Sequence, residues 1–139
     1  MRRVISAVVL ALFAVCPVCL AQAERITDFT SRITVEADGW LAVTETITAD
    51  ARGVDIKHGI YRDFPTIYRG PYLTTRRVPF EITEVLCDGR PSPYYTARRS
   101  NGLRLYIGSE TALIPPGLHT YQISYRTNRQ IGLFDDHDE

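Results

Sequence analysis

Lysine is nearly absent from this 139-residue chain: Lys57 stands alone, and arginine supplies the other basic groups. Sixteen bases against sixteen acids leave no net charge, which excludes a polybasic nucleic-acid arm. A composition of 45% hydrophobic and 23% charged residues excludes a disordered tail or a collagen-like repeat. Cysteine is scarce too. Cys16 and Cys19 spell CPVC inside an apolar run, without the strand-helix-strand context of a redox motif. Val15 and Val18 stand before them where a lipoprotein site needs a small residue. Cys87 is left without an internal disulfide partner and reads as a buried thiol acting as a small hydrophobe, since no cationic activator is placed beside it. The chain has no nucleophile elbow, no H-E-x-x-H and no glycine-rich phosphate loop. After residue 23 no apolar run is long enough to cross a bilayer, and no stretch keeps a helical period.

The first 23 residues are of another kind. Arg2 and Arg3 precede an uncharged apolar run over residues 4–20, and Ala21-Gln22-Ala23 follows with small residues where a signal peptidase reads. These are the three parts of a secretory signal, with cleavage expected after Ala23. The rival, an uncleaved anchor, needs about 20 apolar residues, and Pro17 interrupts the last turn of this run. With Arg2 and Arg3 removed, 16 acids face 14 bases in residues 24–139. The tandem pairs Arg76-Arg77 and Arg98-Arg99 then read as solvated strand ends rather than a phosphate site.

Period-two patterning runs through residues 24–139. Phe29, Ser31, Ile33 and Val35 share one face of an extended segment, and Leu41, Val43, Glu45 and Ile47 share one face of the next. A three-residue loop, Ala37-Asp38-Gly39 with Gly39 left-handed, pairs Val35 with Leu41 and Ile33 with Val43 and is expected to bury one continuous row. Further faces are Val78, Phe80, Ile82 and Leu86; Leu103, Leu105 and Ile107; and Tyr121, Ile123 and Tyr125. Asp88-Gly89, Asn101-Gly102 and Pro115-Pro116-Gly117 punctuate them. Six or seven short strands predict an all-β, antiparallel, immunoglobulin-like sandwich, although the Cys…Trp…Cys spacing of true immunoglobulin domains is missing. Tyr121 fits two roles equally, a turn-corner tyrosine bonding back to the preceding corner or a core residue.

Glu45 shares its face with Leu41, Val43 and Ile47, where an unpaired charge costs several kcal/mol to desolvate. It needs a guanidinium. In GIYRDFP, residues 59–65, Arg62 and Asp63 point to opposite faces of an extended chain. Arg62 is therefore expected to form a structural ion pair with Glu45, clamping this segment onto the first hairpin, the alternative being that Glu45 lies near an open sheet edge in water.

These pieces occur in a distinctive order: DGWLAVTETI, GIYRDFP, EVLCDG, LRLYIG, then LIPPGLHTYQISYRTNRQIG. The order resembles the extracytoplasmic amino-terminal region of the predicted bacterial membrane proteins grouped as domain of unknown function 2207. The resemblance covers residues 24–139. It implies an exported β domain tethered to the cytoplasmic membrane through a downstream span, in proteins of unestablished activity, and it supplies no catalytic residues or cofactor. Such proteins continue through another strand to membrane-spanning helices, so the chain is expected to be cut short at Glu139, the alternative being a free secreted form.

Three functions follow as expectations. The first is a non-catalytic recognition or assembly domain that touches an envelope protein or another copy of itself, with no nucleic-acid partner. The second is an envelope hydrolase using His58 with Asp55, Asp63 or Glu45; His58 and His119 otherwise read as loop and strand-start residues. The third is a calcium-dependent adhesive module resting on the acidic residues 135–139, whose spacing matches no EF-hand loop. No metal or cofactor site is assigned.

Overall fold

The computed structural model describes residues 23–70, 72 and 74–129. The acidic tail and, except for Ala23, the expected leader lie outside them. The described chain forms ten strands: β1 (Arg25–Val35), β2 (Trp40–Ala51), β3 (Gly59–Pro65), β4 (Ile67–Arg69), β5 (Thr75–Arg77), β6 (Phe80–Cys87), β7 (Arg90–Pro91), β8 (Tyr94–Arg99), β9 (Gly102–Gly108) and β10 (Gly117–Asn128). Seven of them run six residues or more, and β4, β5 and β7 are short additions. All pairings are antiparallel: a five-stranded sheet ordered β1-β2-β10-β6-β7, a three-stranded sheet ordered β3-β9-β8, and the small β4-β5 pair.

The two larger sheets pack face to face as a sandwich-like pair. Ile47, Ala49, Val85, Tyr121 and Ile123 of one meet Phe64, Leu105 and Ile107 of the other in a single core. Full burial of a side chain such as Leu105 or Ile123 contributes about 1.5–3 kcal/mol. Phe64, Phe80 and Tyr125 close one end, with ring centroids 4.7–5.0 Å apart.

The first hairpin has the register its turn dictates. Gly39 is left-handed at φ 80°, and Val35 pairs with Leu41 and Ile33 with Val43. Burial departs from expectation, because β1 is exposed along its whole length: Phe29, Ile33 and Val35 are 50%, 59% and 62% accessible. Among the described residues the covering sheet has three strands, and the core they close is built on β2, β6 and β10 rather than β1.

A second departure lies in β6. A bulge at the Ser124/Tyr125 step of its pairing with β10 shifts the register, so that Ile82 and Val85 both reach the core and Leu86 does not join it. One extra residue reverses strand parity, so the expected row of Phe80, Ile82 and Leu86 holds only as far as the bulge.

Tyr121 is fully buried among core residues, and among the described residues its hydroxyl has no oxygen or nitrogen partner, only the weakly hydrogen-bonding Cys87 thiol beside it. The corner bond to the backbone is therefore absent and core packing is its role. A buried hydroxyl with only a thiol beside it keeps much of the desolvation cost of an unsatisfied one, about 1–3 kcal/mol. Tyr121→Phe is accordingly expected to leave the melting temperature unchanged or raise it by a few degrees, as measured by circular dichroism.

Candidate functional site

Strand alternation divides the residues of β3, β9 and β8 between the core and solvent. Ile60, Arg62 and Phe64 point inward, toward β2 and β10. Arg62 Nε donates to Glu45 Oε2 at 2.8 Å and its terminal nitrogen to Oε1 at 3.1 Å. The Tyr125 hydroxyl adds a third bond to Oε1 at 3.1 Å. Glu45, 3% accessible, is thus satisfied on both oxygens between the two sheets. The guanidinium lies 5.1 Å over Phe64 and 6.0 Å over Phe29. Its hydrogen bond to Glu45 raises the Arg62 pKa against the opposing effect of burial.

The outward residues build a different surface. Tyr61, Tyr106 and Tyr95 are direct cross-strand neighbours on β3, β9 and β8, and Asp63, Arg104 and Ala97 form the next row. Tyr95 stacks on Tyr106 at 4.6 Å, while Tyr61 tilts against it at 6.1 Å. Arg104 holds Asp63 through two hydrogen bonds of 2.6 and 2.7 Å and lies 3.9 Å over the Tyr61 ring. That pairing keeps the Asp63 carboxyl below the usual carboxylate range. Arg99 donates to the Tyr106 hydroxyl at 3.1 Å. A hydrogen bond to Glu110 raises the Tyr95 hydroxyl. Tyr61 and Tyr95 remain 57% and 41% accessible. The result is an exposed tyrosine-arginine face whose side chains hold one another in place. Sequence reasoning missed it, although outward Tyr and charged residues alternate with the inward ones along β3 (IYRDF) and β9 (LRLYI).

The residues proposed for hydrolysis do not converge. His58 precedes β3, and its Nδ1 lies 3.0 Å from the Ala112 carbonyl, against the loop before β10. At about 3.3 Å per residue, Asp63 is roughly 16 Å further along the strand. Asp63 is bound to Arg104 on the outer face, and Glu45 sits inside on the opposite sheet. A cavity of about 80 Å³ lies near His58, Tyr95, Tyr106 and Glu110, but neither Asp63 nor Glu45 lines it. In the loop before His58, the N–H groups of Arg52, Val54, Asp55 and Ile56 donate to the Glu24 carboxylate at 2.5–3.0 Å. Burial pushes the Glu24 carboxyl up, but the four N–H groups outweigh it and hold the pKa down at about 2.

Cys87, Asp88 and His119 lie together, with their ligand-type atoms within 4.8 Å of one another. His119 Nδ1 is 2.8 Å from Asp88 Oδ2, and Nε2 is 2.7 Å from the Pro115 carbonyl. Two acceptors, one on each ring nitrogen, require both nitrogens to donate, which is the imidazolium form. Asp88 Oδ1 also accepts the Thr120 N–H at 2.8 Å. Burial, then the Asp88 charge, push the Cys87 thiol up to about 11. Both ring nitrogens of His119 and both Asp88 carboxylate oxygens are hydrogen-bonded here, which ties the β6-β7 turn to the start of β10.

The pair makes stability pH-dependent. Its bond to Pro115 and then the Asp88 pairing raise the His119 pKa, so its contribution is complete below the unfolded value of about 6.5 and is lost as pH rises through the folded value. Asp88 is lowered, first by the Thr120 N–H, so its share is present above about pH 4 and is lost on further acidification. The melting-temperature gap between wild type and His119→Gln is expected to be widest near pH 5 and to shrink by pH 9. A gap that widens with pH would contradict the pairing.

The arginine pairs Arg76-Arg77 and Arg98-Arg99 end β5 and β8 and are exposed. Arg76 donates to the Arg129 carbonyl at 2.8 Å.

The family model described as the N-terminal domain of a predicted membrane protein (DUF2207) matches residues 25–139. The uncharacterized protein YciQ of Escherichia coli strain K12 is 32% identical over 103 residues, which is 74% of this chain and 16% of that protein. The chain thus spans a small part of the curated relative it matches. No solved structure matches. With two antiparallel sheets under a model that covers nearly all of residues 24–139, the chain belongs to the DUF2207 family of predicted membrane proteins, as its N-terminal domain.

Proposed function

We propose that this domain is a non-catalytic recognition or assembly module on the extracytoplasmic side of a membrane protein, and that it binds through the outer face of β3-β9-β8. The observation that carries the reading is the exposed row Tyr61-Tyr106-Tyr95 with Arg104 and Arg99 locked among them. Tyr and Arg dominate the residues that contribute most at protein interfaces. Side chains already immobilised lose little entropy when a partner docks. The scatter of His58, Asp63 and Glu45 supports binding over hydrolysis, because catalysis requires groups within hydrogen-bond reach of one reacting centre. The family description supports the membrane attachment; the leader over residues 1–23 and the tether beyond residue 139 belong to the same reading.

Site-specific photocrosslinking in cells tests it. A benzophenone side chain at position 61 or 95 of the full-length membrane protein is expected to give a discrete protein adduct. The same probe at Thr30, on the far sheet, is expected to give none. Adducts equal at all three positions, or absent from 61 and 95, would remove the assignment of this face.

A further inference from the structure

Cys87, Asp88 and His119 take no part in the tyrosine-arginine face, and among the described residues they are the one grouping of three metal-ligand side chains. Backbone geometry holds all three. Cys87 ends β6 and pairs with Tyr121 of β10. Asp88 and Gly89, both left-handed at φ 51° and 74°, make the two-residue turn into β7. The Asp88 N–H donates to the Thr120 carbonyl at 2.8 Å while its Oδ1 accepts the Thr120 N–H at 2.8 Å, so the turn is locked onto β10 beside His119. Oδ2 then lies 2.8 Å from His119 Nδ1 and 3.9 Å from Cys87 Sγ. Tetrahedral zinc, with bonds of about 2.0 Å to nitrogen and oxygen and about 2.3 Å to sulfur, sets its ligand atoms about 3.3–3.5 Å apart. Side-chain shifts of about half an ångström convert one arrangement into the other.

We propose that Cys87 Sγ, Asp88 Oδ2 and His119 Nδ1 bind a zinc ion, with the fourth position open to water on the exposed side of Asp88. The surroundings of the three ligands favour it. The Tyr121 hydroxyl, in a side chain 1% accessible, has only the Cys87 thiol beside it. A thiol is a weak acceptor, but a metal-bound cysteine is a thiolate, and a charged sulfur gives this buried hydroxyl the acceptor it lacks. The two other ligands already have outer partners of the kind that orient metal ligands. His119 Nε2 is 2.7 Å from the Pro115 carbonyl, which turns Nδ1 toward the ion, and the Thr120 N–H on Oδ1 leaves Oδ2 as the ligand oxygen. The donor set selects the metal. Calcium and magnesium take oxygen ligands, whereas sulfur, imidazole nitrogen and one carboxylate oxygen suit zinc. Zinc replaces the Nδ1 proton of His119 and the thiol proton of Cys87, and both protons pass to solvent. The pH response of the His119-Asp88 pair is accordingly that of protein kept in chelator.

Cobalt substitution tests the site in the 139-residue chain with Cys16→Ala and Cys19→Ala, which leave Cys87 as the sole thiol. Co²⁺ is expected to give a sulfur-to-cobalt charge-transfer band that Zn²⁺ abolishes by displacement. Zn²⁺ at about 100 times its dissociation constant is expected to raise the melting temperature by roughly 5 °C or more. In chelator competition, His119→Gln and Tyr121→Phe are each expected to weaken zinc binding about tenfold or more, and His58→Gln to leave it unchanged. Tyr121→Phe decides the matter even where His119→Gln unfolds, since its stability in chelator is expected to equal or exceed that of wild type. An absent charge-transfer band would overturn the proposal, as would zinc affinity that is the same in wild type and Tyr121→Phe, or that falls equally in His58→Gln.

Discussion

Arg62→Ala is expected to destabilise the domain by about 3 kcal/mol, within the range for stripping one partner from a buried ion pair. The change leaves Glu45 nearly inaccessible to water with only the Tyr125 hydroxyl for compensation. It also removes the cation lying over Phe64. The Arg62 side chain is itself 36% accessible, which screens the pair and keeps the estimate off the top of the range. In a domain of this size the loss corresponds to a melting-temperature drop of roughly 10 °C or more. Glu45→Gln, Arg62→Gln and their double mutant complete the cycle. The double mutant is expected to lose less than the sum of the singles by about 1–3 kcal/mol, and additive losses would mean that the contact carries no coupling.

Gly59→Ala is expected to cost at least as much, about 3 kcal/mol or more, for a backbone reason. Gly59 and Gly108 face each other at one end of the β3-β9 pair with φ of 124° and 122°, a region L-residues rarely enter. A Cβ on Gly59 would lie 1.8 Å from the Ile107 carbonyl oxygen, so the two strands would have to separate. Gly53 supplies the control. Its φ is 76°, but a Cβ there meets nothing within 4 Å. Gly53→Ala is expected to lose only the left-handed penalty of about 1 kcal/mol. Equal effects in urea denaturation would show that strain, not contact between strands, governs Gly59.

Local chemistry explains which parts of this architecture were legible in the sequence. A Gly in the third position of a three-residue loop determined the β1-β2 register, because only that pairing sets both apolar rows on one face. Parity put Glu45 on an apolar row and Arg62 and Asp63 on opposite faces, and the geometry displays the same parities. Parity failed where a bulge in β6 reversed it, exchanging Leu86 for Val85 in the core. Coverage was not legible at all, since no local pattern says that, among the described residues, β1 stays outside the core that the second sheet closes. Long-range partners were equally hidden: Glu24 gripping four N–H groups some 30 residues away, and Asp88 meeting His119, depend on loop paths that no spacing encodes. The tyrosine-arginine face could have been found by reading the polar side of each strand as closely as the apolar side.

On the proposed reading, the Tyr61-Tyr106-Tyr95 face of an exported β domain is displayed outside the cytoplasmic membrane. Labelling with a membrane-impermeant maleimide tests this directly, using Tyr95→Cys in the full-length protein with Cys87→Ala. Labelling in intact spheroplasts is expected at the level seen after lysis. Labelling only after lysis would contradict it.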